Sequence, residues 1–155
     1  MRLSTGDRVE LADLVARYAL HVDRRDLAAL AGLFTDDAVL VLPDPPERMG
    51  PVLVHRGWEE IARVMSSLEV FPVTMHALAG QVFDPGPEPG TATGSVACTA
   101  CHLSERDGTV VNLAWHLRYA DIYRRQGGAW RIARRELHLE WIETRPVRRW
   151  RGDSR

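Results

Sequence analysis

Residues 119–135 read YADIYRRQGGAWRIARR, and this stretch decides the fold class. Gly127 and Gly128 together form a two-residue turn signal of the kind that joins antiparallel strands. The residues on either side are typical of strands, because apolar and polar side chains alternate along them. The stretch therefore predicts a long β-hairpin near the C-terminus.

Two more turn signals extend this hairpin into a meander. One is the pair Asp107 and Gly108, and the other is the proline- and glycine-rich segment 85–90. Consecutive strands joined by short turns pair antiparallel, so this half of the chain is expected to form one sheet. Four long strands are predicted, over residues 73–83, 91–104, 109–124 and 129–143.

The N-terminal half carries helical patterns instead, with apolar residues recurring at the spacing of one helix face. Ser4 or Thr5 is expected to cap the first helix, and Asp26 to cap the second. The third opens at Gly57. The predicted helices cover residues 5–22, 27–34 and 57–68.

Two short strands are predicted between the second and third helices, over residues 38–42 and 52–55. Residues 43–51 hold four prolines and a glycine, which favours a loop between these strands. Helices followed by an antiparallel meander are typical of an α+β domain, with the helices packed on one face of the sheet. A strongly curved sheet closed by helices leaves a cavity on its concave side.

The composition is that of an ordinary globular domain. The chain has 155 residues, of which 45% are hydrophobic and 26% charged, and its formal net charge is −1. The near-zero charge argues against a nucleic-acid or anionic-membrane partner. No stretch is long and apolar enough to predict a membrane helix or a signal peptide, so we expect a cytoplasmic protein with reduced thiols.

Local motifs point to a known family. Residues 18–27, YALHVDRRDL, and residues 33–38, LFTDDA, resemble the opening of SnoaL-like proteins, and residues 119–135 resemble their closing hairpin. The chain is thereby identified as a SnoaL-like, scytalone-dehydratase-like member of the nuclear-transport-factor-2-like superfamily over about residues 7–143. The resemblance implies a cone-shaped half-barrel, a curved antiparallel or mixed sheet with three N-terminal helices closing a deep pocket.

We accordingly predict one SnoaL-like domain over residues 1–143 and a basic tail over residues 144–155. The tail holds five arginines and is expected to be solvated or covered by a partner rather than to bind nucleic acid. The superfamily includes dehydratases, isomerases, cyclases, dehydrochlorinases, dioxygenase β-subunits and binding domains. The fold therefore leaves the function open.

The resemblance extends to candidate catalytic residues. Residues 74–80, TMHALAG, place His76 where scytalone dehydratases carry a catalytic histidine. Asp23 falls at their catalytic carboxylate and His102 at their second catalytic histidine. Asp23 and His76 also resemble the dyad of hexachlorocyclohexane dehydrochlorinase, and Arg135 matches an arginine that lines the pocket of that enzyme.

The substrate-reading positions depart from the scytalone dehydratase pattern. Val22 and Leu42 stand where that family has two tyrosines that hold a water against the substrate carbonyl. Leu117 and Tyr119 replace a serine and an asparagine of its pocket. We therefore carry over the dyad and not the substrate.

The same residues make chemical sense without the resemblance. A histidine is a natural general base because its unperturbed pKa is about 6.5, and a carboxylate on one ring nitrogen orients it. We expect His76 to act as the base, Asp23 to orient it, and His102 and Tyr119 to donate hydrogen bonds. The residues predicted to bind substrate are Tyr18, Trp115, Leu117, Tyr119 and Arg135.

The leading hypothesis is a lyase of the dehydratase type that uses no cofactor and no metal and acts on a small hydrophobic cyclic or aromatic compound. An isomerase or a polyketide cyclase with the same dyad is the close alternative. A non-catalytic binding domain, or an assembly domain similar to a dioxygenase β-subunit, is the alternative of another class. It requires Asp23 and His76 to lie apart, or the cavity to be filled by side chains.

Several competing interpretations stay open from sequence alone. His76 could be a core histidine bonded to a backbone carbonyl, and Asp23 a residue of the turn after the helix. The run from Cys98 to His102 matches a haem-attachment pattern, but two cysteines three apart on a strand face opposite sides. The outer face of the sheet is expected to form a homodimer or homotrimer interface.

Overall fold

The computed structural model describes residues 2–153. In that part of the chain, three α-helices and a short 3₁₀ turn, Ser67–Val70, pack against a six-stranded sheet. The helices are α1, Thr5–Arg24, α2, Leu27–Ala31, and α3, Gly57–Ser66. The strands are β1, Phe34–Asp44, β2, Arg48–Arg56, β3, Val73–Pro85, β4, Thr91–Arg106, β5, Thr109–Gln126, and β6, Ala129–Pro146.

The start and the end of α1 follow from its terminal residues. The Ser4 hydroxyl oxygen accepts a hydrogen bond from the backbone N–H of Asp7, and the Asp7 carboxylate accepts one from the backbone N–H of Ser4, so Ser4 is the predicted N-cap. The helix ends where Arg25 adopts the left-handed region with φ 58°. Asp23 therefore lies in the last turn of α1 rather than just beyond it.

The segment between α2 and α3 differs from the prediction. Phe34 was expected at the end of a helix and instead begins β1, while residues 43–51 form the end of β1, a tight turn and the start of β2. Pro45–Pro46 is a cis peptide bond in this turn. Because β2 is an edge strand, proline and glycine are tolerated in it, which the loop prediction did not allow for.

The strand order is β2-β1-β6-β5-β4-β3, with an open sheet that has β2 and β3 at its edges. All neighbours are antiparallel except β1 and β6, which run parallel, so the predicted mixed sheet is confirmed. Strand β6 continues to Pro146, three residues into the segment predicted as a tail.

Two bulges in β6 preserve its inward face. The register shifts once between Ile132 and Arg134 and again between Leu139 and Trp141. Each extra residue bends the strand and raises its local twist. As a result Ile132 and Arg135 are both buried, although strict alternation would put residues three apart on opposite faces.

The concave face of the sheet carries the predicted aromatic face of β5 and the face of β4 that ends in His102. Tyr119, Tyr123 and His102 are all buried there against the helices. The result is the predicted α+β cone, a curved open sheet closed by helices, with the core on its inner side.

Candidate active site

A cavity of about 230 Å³ lies inside the cone, between the sheet and the segment that follows α3. Most of its wall is aliphatic or aromatic. Six of the eight predicted site residues line it: Tyr18, His76, His102, Trp115, Leu117 and Tyr119. The other two, Asp23 and Arg135, lie behind the wall.

Asp23 and His76 form a hydrogen-bonded pair. The last turn of α1 packs on β3, and this contact brings the Asp23 Oδ1 to 2.7 Å from the His76 Nδ1. The second carboxylate oxygen, Oδ2, accepts the His76 backbone N–H at 2.9 Å. The side chains are only 8% exposed for His76 and 22% for Asp23, so the pair is largely shielded from water.

This geometry defines the protonation of the pair. Partial burial opposes ionisation of Asp23, but hydrogen bonds from His76 and Thr74 outweigh it and lower the pKa of the carboxyl. An ionised carboxylate only accepts, so Nδ1 of the His76 ring carries the proton. In the neutral ring Nε2 then holds the lone pair, which is the state that a general base requires.

His102 is held by a hydrogen bond to the next strand. Its Nδ1 lies 3.1 Å from the carbonyl oxygen of Leu113, and a carbonyl can only accept. Burial is the largest influence and lowers the pKa of His102; the hydrogen bond to Leu113 opposes it, and the nearby charges of His76 and Arg25 lower the pKa further. In the neutral ring the lone pair lies on Nε2, and a donor role of His102 toward substrate stays a prediction.

The two histidines form one edge of the cavity. Their ring centroids are 6.1 Å apart at an interplanar angle of 81°. Phe71 and Trp115 flank His102, with centroids at 5.0 and 5.7 Å. A small ligand in the cavity would thus meet two imidazoles set in an apolar wall.

Tyr18 and Tyr119 line the cavity wall. Both are almost fully buried, and burial raises the pKa of each phenol, so they remain protonated. Their rings meet edge to face at 5.9 Å. A donor role of these phenols toward a substrate oxygen stays a prediction.

Arg135 lies behind these tyrosines. Its guanidinium carbon is 4.1 Å from the Tyr18 ring centroid and 4.0 Å from that of Tyr119. Two hydrogen bonds join it to Asp121, from Nε at 2.8 Å and from Nη2 at 2.6 Å, and the side chains of both residues are 0% exposed. This position indicates that the charge of Arg135 acts on the cavity through the two tyrosine rings. A direct contact of Arg135 with substrate stays a prediction.

Val22 and Leu42 both line the cavity. These are the two positions at which the resemblance to scytalone dehydratases implies tyrosines in that family. Two aliphatic side chains at these places cannot hold a water against a carbonyl.

Two residues beside the Asp23–His76 pair were not predicted from the sequence. Thr74 donates its hydroxyl to Asp23 Oδ1 at 3.0 Å, and Arg25 donates to the Thr74 hydroxyl at 2.7 Å. Thr74 lies two residues before His76 on the same face of β3, a signal that strand alternation could have supplied. The sequence carries no comparable signal for Arg25, because its reach depends on the left-handed turn after α1.

Residues 2–153 contain two cysteines. Cys98 is buried and Cys101 half-buried, and both are free. No group of three or more histidine, cysteine or acidic residues in this range could hold a metal ion. None of the helices described is both long and apolar enough to cross a bilayer.

Solved structures resemble the chain in fold. The Kfla4162 protein from Kribbella flavida has a TM-score of 0.77 at 20% identity, with 89% of this chain and 93% of the other covered. A proposed scytalone dehydratase from Novosphingobium aromaticivorans gives 0.75 at 20% identity, with 92% and 89% covered. Hexachlorocyclohexane dehydrochlorinase LinA-type3 from Novosphingobium barchaimii gives 0.72 at 15% identity, with 92% and 91% covered.

Among curated proteins, none matches the chain significantly. The SnoaL-like domain family matches it over residues 4–136. That range runs from the cap of α1 into β6 and includes the whole of the cavity wall except Leu137. The chain therefore belongs to the SnoaL-like domain family.

Proposed function

We propose that this protein abstracts a proton from carbon next to a carbonyl group and eliminates water from a small, neutral, apolar cyclic compound. The observation that carries the proposal is the Asp23–His76 hydrogen bond of 2.7 Å at the edge of an open cavity. An imidazole without an orienting partner can carry its lone pair on either ring nitrogen. Asp23 accepts the Nδ1–H of His76 and thereby keeps the lone pair on Nε2.

The steps follow from the protonation states. Nε2 of His76 takes the proton from the carbon beside the carbonyl, and the electron pair of that C–H bond moves into an enolate. The enolate then expels the hydroxyl group on the next carbon. The imidazolium of His76 returns its proton to the departing hydroxide, so that one substrate molecule gives one unsaturated carbonyl compound and one water.

The enolate needs a donor that is positioned before the reaction begins. Tyr18 and Tyr119 offer phenol O–H groups that burial keeps protonated. The Arg135 guanidinium behind their rings adds a positive charge close to the developing negative charge. A fixed donor of this kind contributes about 3 kcal/mol to lowering the barrier.

The cavity wall supports a neutral substrate. None of its lining residues is an arginine or a carboxylate, and the polar ones are two histidines, two tyrosines and Ser67. Burying a charged group against such a wall would cost several kcal/mol of uncompensated desolvation. Two of the similar structures are a proposed scytalone dehydratase and a hexachlorocyclohexane dehydrochlorinase, and both names denote eliminations.

Isomerisation and cyclisation are the close alternatives because both begin with the same proton abstraction. A purely binding or assembly role is favoured when the dyad is separated or the cavity is filled. Here the pair is bonded and the cavity is open, and this supports the catalytic proposal.

The test separates these cases with two probes. The protein is incubated in D₂O with 1-tetralone, and deuterium uptake beside the carbonyl is followed by NMR. In parallel, 3-hydroxy-1-tetralone is supplied, because loss of water converts it to fluorescent 1-naphthol. Exchange together with naphthol formation is expected; exchange alone would favour an isomerase or cyclase, and binding of both probes with neither reaction would overturn the enzyme proposal.

A further inference from the structure

Arg25 connects three parts of the chain. It follows α1 in the left-handed conformation, and its guanidinium extends toward β3 and the turn Ser67–Val70. Nη1 donates to the Thr74 hydroxyl at 2.7 Å and to the carbonyl of Val22 at 2.9 Å. Nη2 donates to the carbonyls of Leu68 at 3.0 Å and Phe71 at 3.2 Å.

The contact with Thr74 controls where the threonine proton points. A guanidinium can only donate, so the Thr74 oxygen accepts from Arg25. Its single proton is then free for Asp23 Oδ1, which lies 3.0 Å away. Thr74 is 6% exposed, so water does not compete strongly for this hydroxyl.

The same Asp23 oxygen also receives the His76 Nδ1–H. The hydrogen bonds thus run in one direction, from Arg25 through Thr74 to the Asp23 carboxylate. We propose that Arg25 is the positioning residue of the Asp23–His76 pair, acting through the hydroxyl of Thr74. This inference rests on the proposed function for its catalytic meaning.

The other half of the guanidinium fixes the neighbouring wall of the cavity. Leu68 and Phe71, whose carbonyls it binds, both line the cavity, and the Phe71 ring packs on His102 at 5.0 Å. Loss of Arg25 therefore releases the dyad and the wall beside it together. We expect both kcat and KM to change in an Arg25 variant, and kcat alone in a Thr74 variant.

Charged groups near Asp23 come from several elements. Arg24, Arg25, Glu69 and Arg151 share with it a shallow depression on the outer side of the pair. His76 and His102 face it from the sheet. Burial first, and then the charges of His76 and Arg25, lower the pKa of His102. Removing the Arg25 charge should raise the pKa of His102.

The experiment uses Arg25→Gln, Arg25→Lys, Thr74→Val and Thr74→Ser in the full chain, with Arg24→Gln as the matched control. Arg24 is exposed and its side chain makes no hydrogen bond within residues 2–153, so this control removes the adjacent charge without touching the hydrogen bonds from Arg25 through Thr74 to Asp23. Deuterium exchange into 1-tetralone measures the rate. NMR of the ring nitrogens in the ligand-free protein follows the His102 titration and the His76 Nδ1–H signal.

Arg25→Gln and Thr74→Val are expected to slow exchange by about ten- to a hundredfold, the usual cost of a misplaced catalytic group. Thr74→Ser keeps the hydroxyl and should recover much of the rate that Thr74→Val loses. Arg24→Gln leaves the hydrogen bonds from Arg25 through Thr74 to Asp23 in place, so it should stay near the wild-type rate. Arg25→Lys keeps the charge without the forked geometry, so it should preserve the His102 titration and still slow exchange. Arg25→Gln should shift the His102 titration upward, and Thr74→Val should weaken the His76 Nδ1–H signal.

An unchanged exchange rate and an unchanged His76 signal in folded Thr74→Val would overturn the inference, even if Arg25→Gln fails to fold. If the wild-type protein exchanges no deuterium, the proposed function fails. The His76 Nδ1–H signal needs no substrate, so it still decides whether Arg25 positions the pair.

Discussion

A single carboxylate holds both ends of His76: Asp23 Oδ1 binds the imidazole Nδ1 at 2.7 Å, and Asp23 Oδ2 binds the backbone N–H at 2.9 Å. The backbone bond fixes the strand against the helix end, and the ring bond fixes the tautomer. Replacing Asp23 by Asn keeps the size of the side chain and removes the charge. We expect Asp23→Asn and His76→Ala to slow deuterium exchange into 1-tetralone by about 10²- to 10⁴-fold.

The control for these two variants is a measurement of whether each one stays folded. Circular dichroism and the urea midpoint should show that His76→Ala remains folded, because His76 lines a cavity rather than filling the core. A wild-type rate in folded His76→Ala would mean that another group is the base.

Tyr18 and Tyr119 are predicted to be the donors to the enolate. Tyr119→Phe combined with Tyr18→Phe removes both hydroxyls while keeping the rings that pack around Arg135. The loss of about 3 kcal/mol of enolate stabilisation corresponds to a rate lower by about a hundredfold. Steady-state exchange kinetics with each single variant and with the pair measure the effect.

Tyr123 offers the matched comparison. Its hydroxyl donates to Asp121 in the buried ion pair and it does not line the cavity. Tyr123→Phe should leave the exchange rate unaltered and lower the free energy of unfolding. Equal loss of rate in Tyr123→Phe and in the cavity variants would point to general distortion instead of lost donors.

The buried Arg135–Asp121 pair predicts a large stability effect. Asp121→Asn leaves a fully buried guanidinium without its counter-charge, and breaking one side of such a pair costs about 3–5 kcal/mol. Urea unfolding at neutral pH gives the free energy. The double variant Asp121→Leu with Arg135→Met should recover much of the loss, and a single Asp121→Asn within about 1 kcal/mol of wild type would contradict the prediction.

His102 predicts how stability depends on pH. Its pKa is lower in the folded protein than in the unfolded chain, chiefly because it is buried. The unfolded state therefore binds the extra proton first as the pH falls below about 6.5, the pKa of free histidine. The stabilising contribution of neutral, buried His102 to the free energy of unfolding is complete above that pH. It is lost as the pH falls through the pKa that His102 has in the folded protein.

Unfolding free energies at pH 7.5 and at stepwise lower pH measure this contribution. We expect His102→Gln to lose less stability over this range than wild type. Identical curves for His102→Gln and wild type would show that burial of the ring does not govern its protonation.

The outer face of the sheet is predicted to join copies of this chain. Trp141 is 54% exposed there and stacks on His116 at 4.1 Å, with the exposed Ile122 on the same face. We expect a homodimer or homotrimer at micromolar concentration, and a shift toward monomer in Trp141→Glu. Light scattering coupled to size-exclusion chromatography decides this, and a monomeric wild-type protein would end the proposal.

Sequence alone predicted most of the fold because its signals are local. The glycine pair Gly127 and Gly128 sets the last hairpin, and alternation along β5 assigns Tyr119 and Tyr123 to the inner face. The segment 43–51 was missed because edge pairing depends on β1, not on its own composition. A strand that accepts prolines cannot be told from a loop without knowing its neighbours.

Part of the candidate site could likewise be predicted from the sequence, and part could not. His76 and Asp23 were predicted from motifs, and their pairing depended on one helix–strand contact that the motif spacing already implies. The orientation of His102 could not be predicted, because it follows from a carbonyl on the next strand, that of Leu113. The role of Arg25 depends on three segments meeting, a relationship that no local pattern records.

The parallel pairing of β1 with β6 has a consequence for how the chain acquires its cavity. Leu40 of β1 is paired with Arg135 of β6, so one wall joins two segments that lie far apart in the chain. Until β6 is synthesised, β1 has only the edge strand β2 beside it, and its apolar face stays uncovered. Long-range pairing of this kind slows folding. The cavity is therefore completed last, and a nascent chain that lacks β6 exposes the very surface that later encloses the ligand.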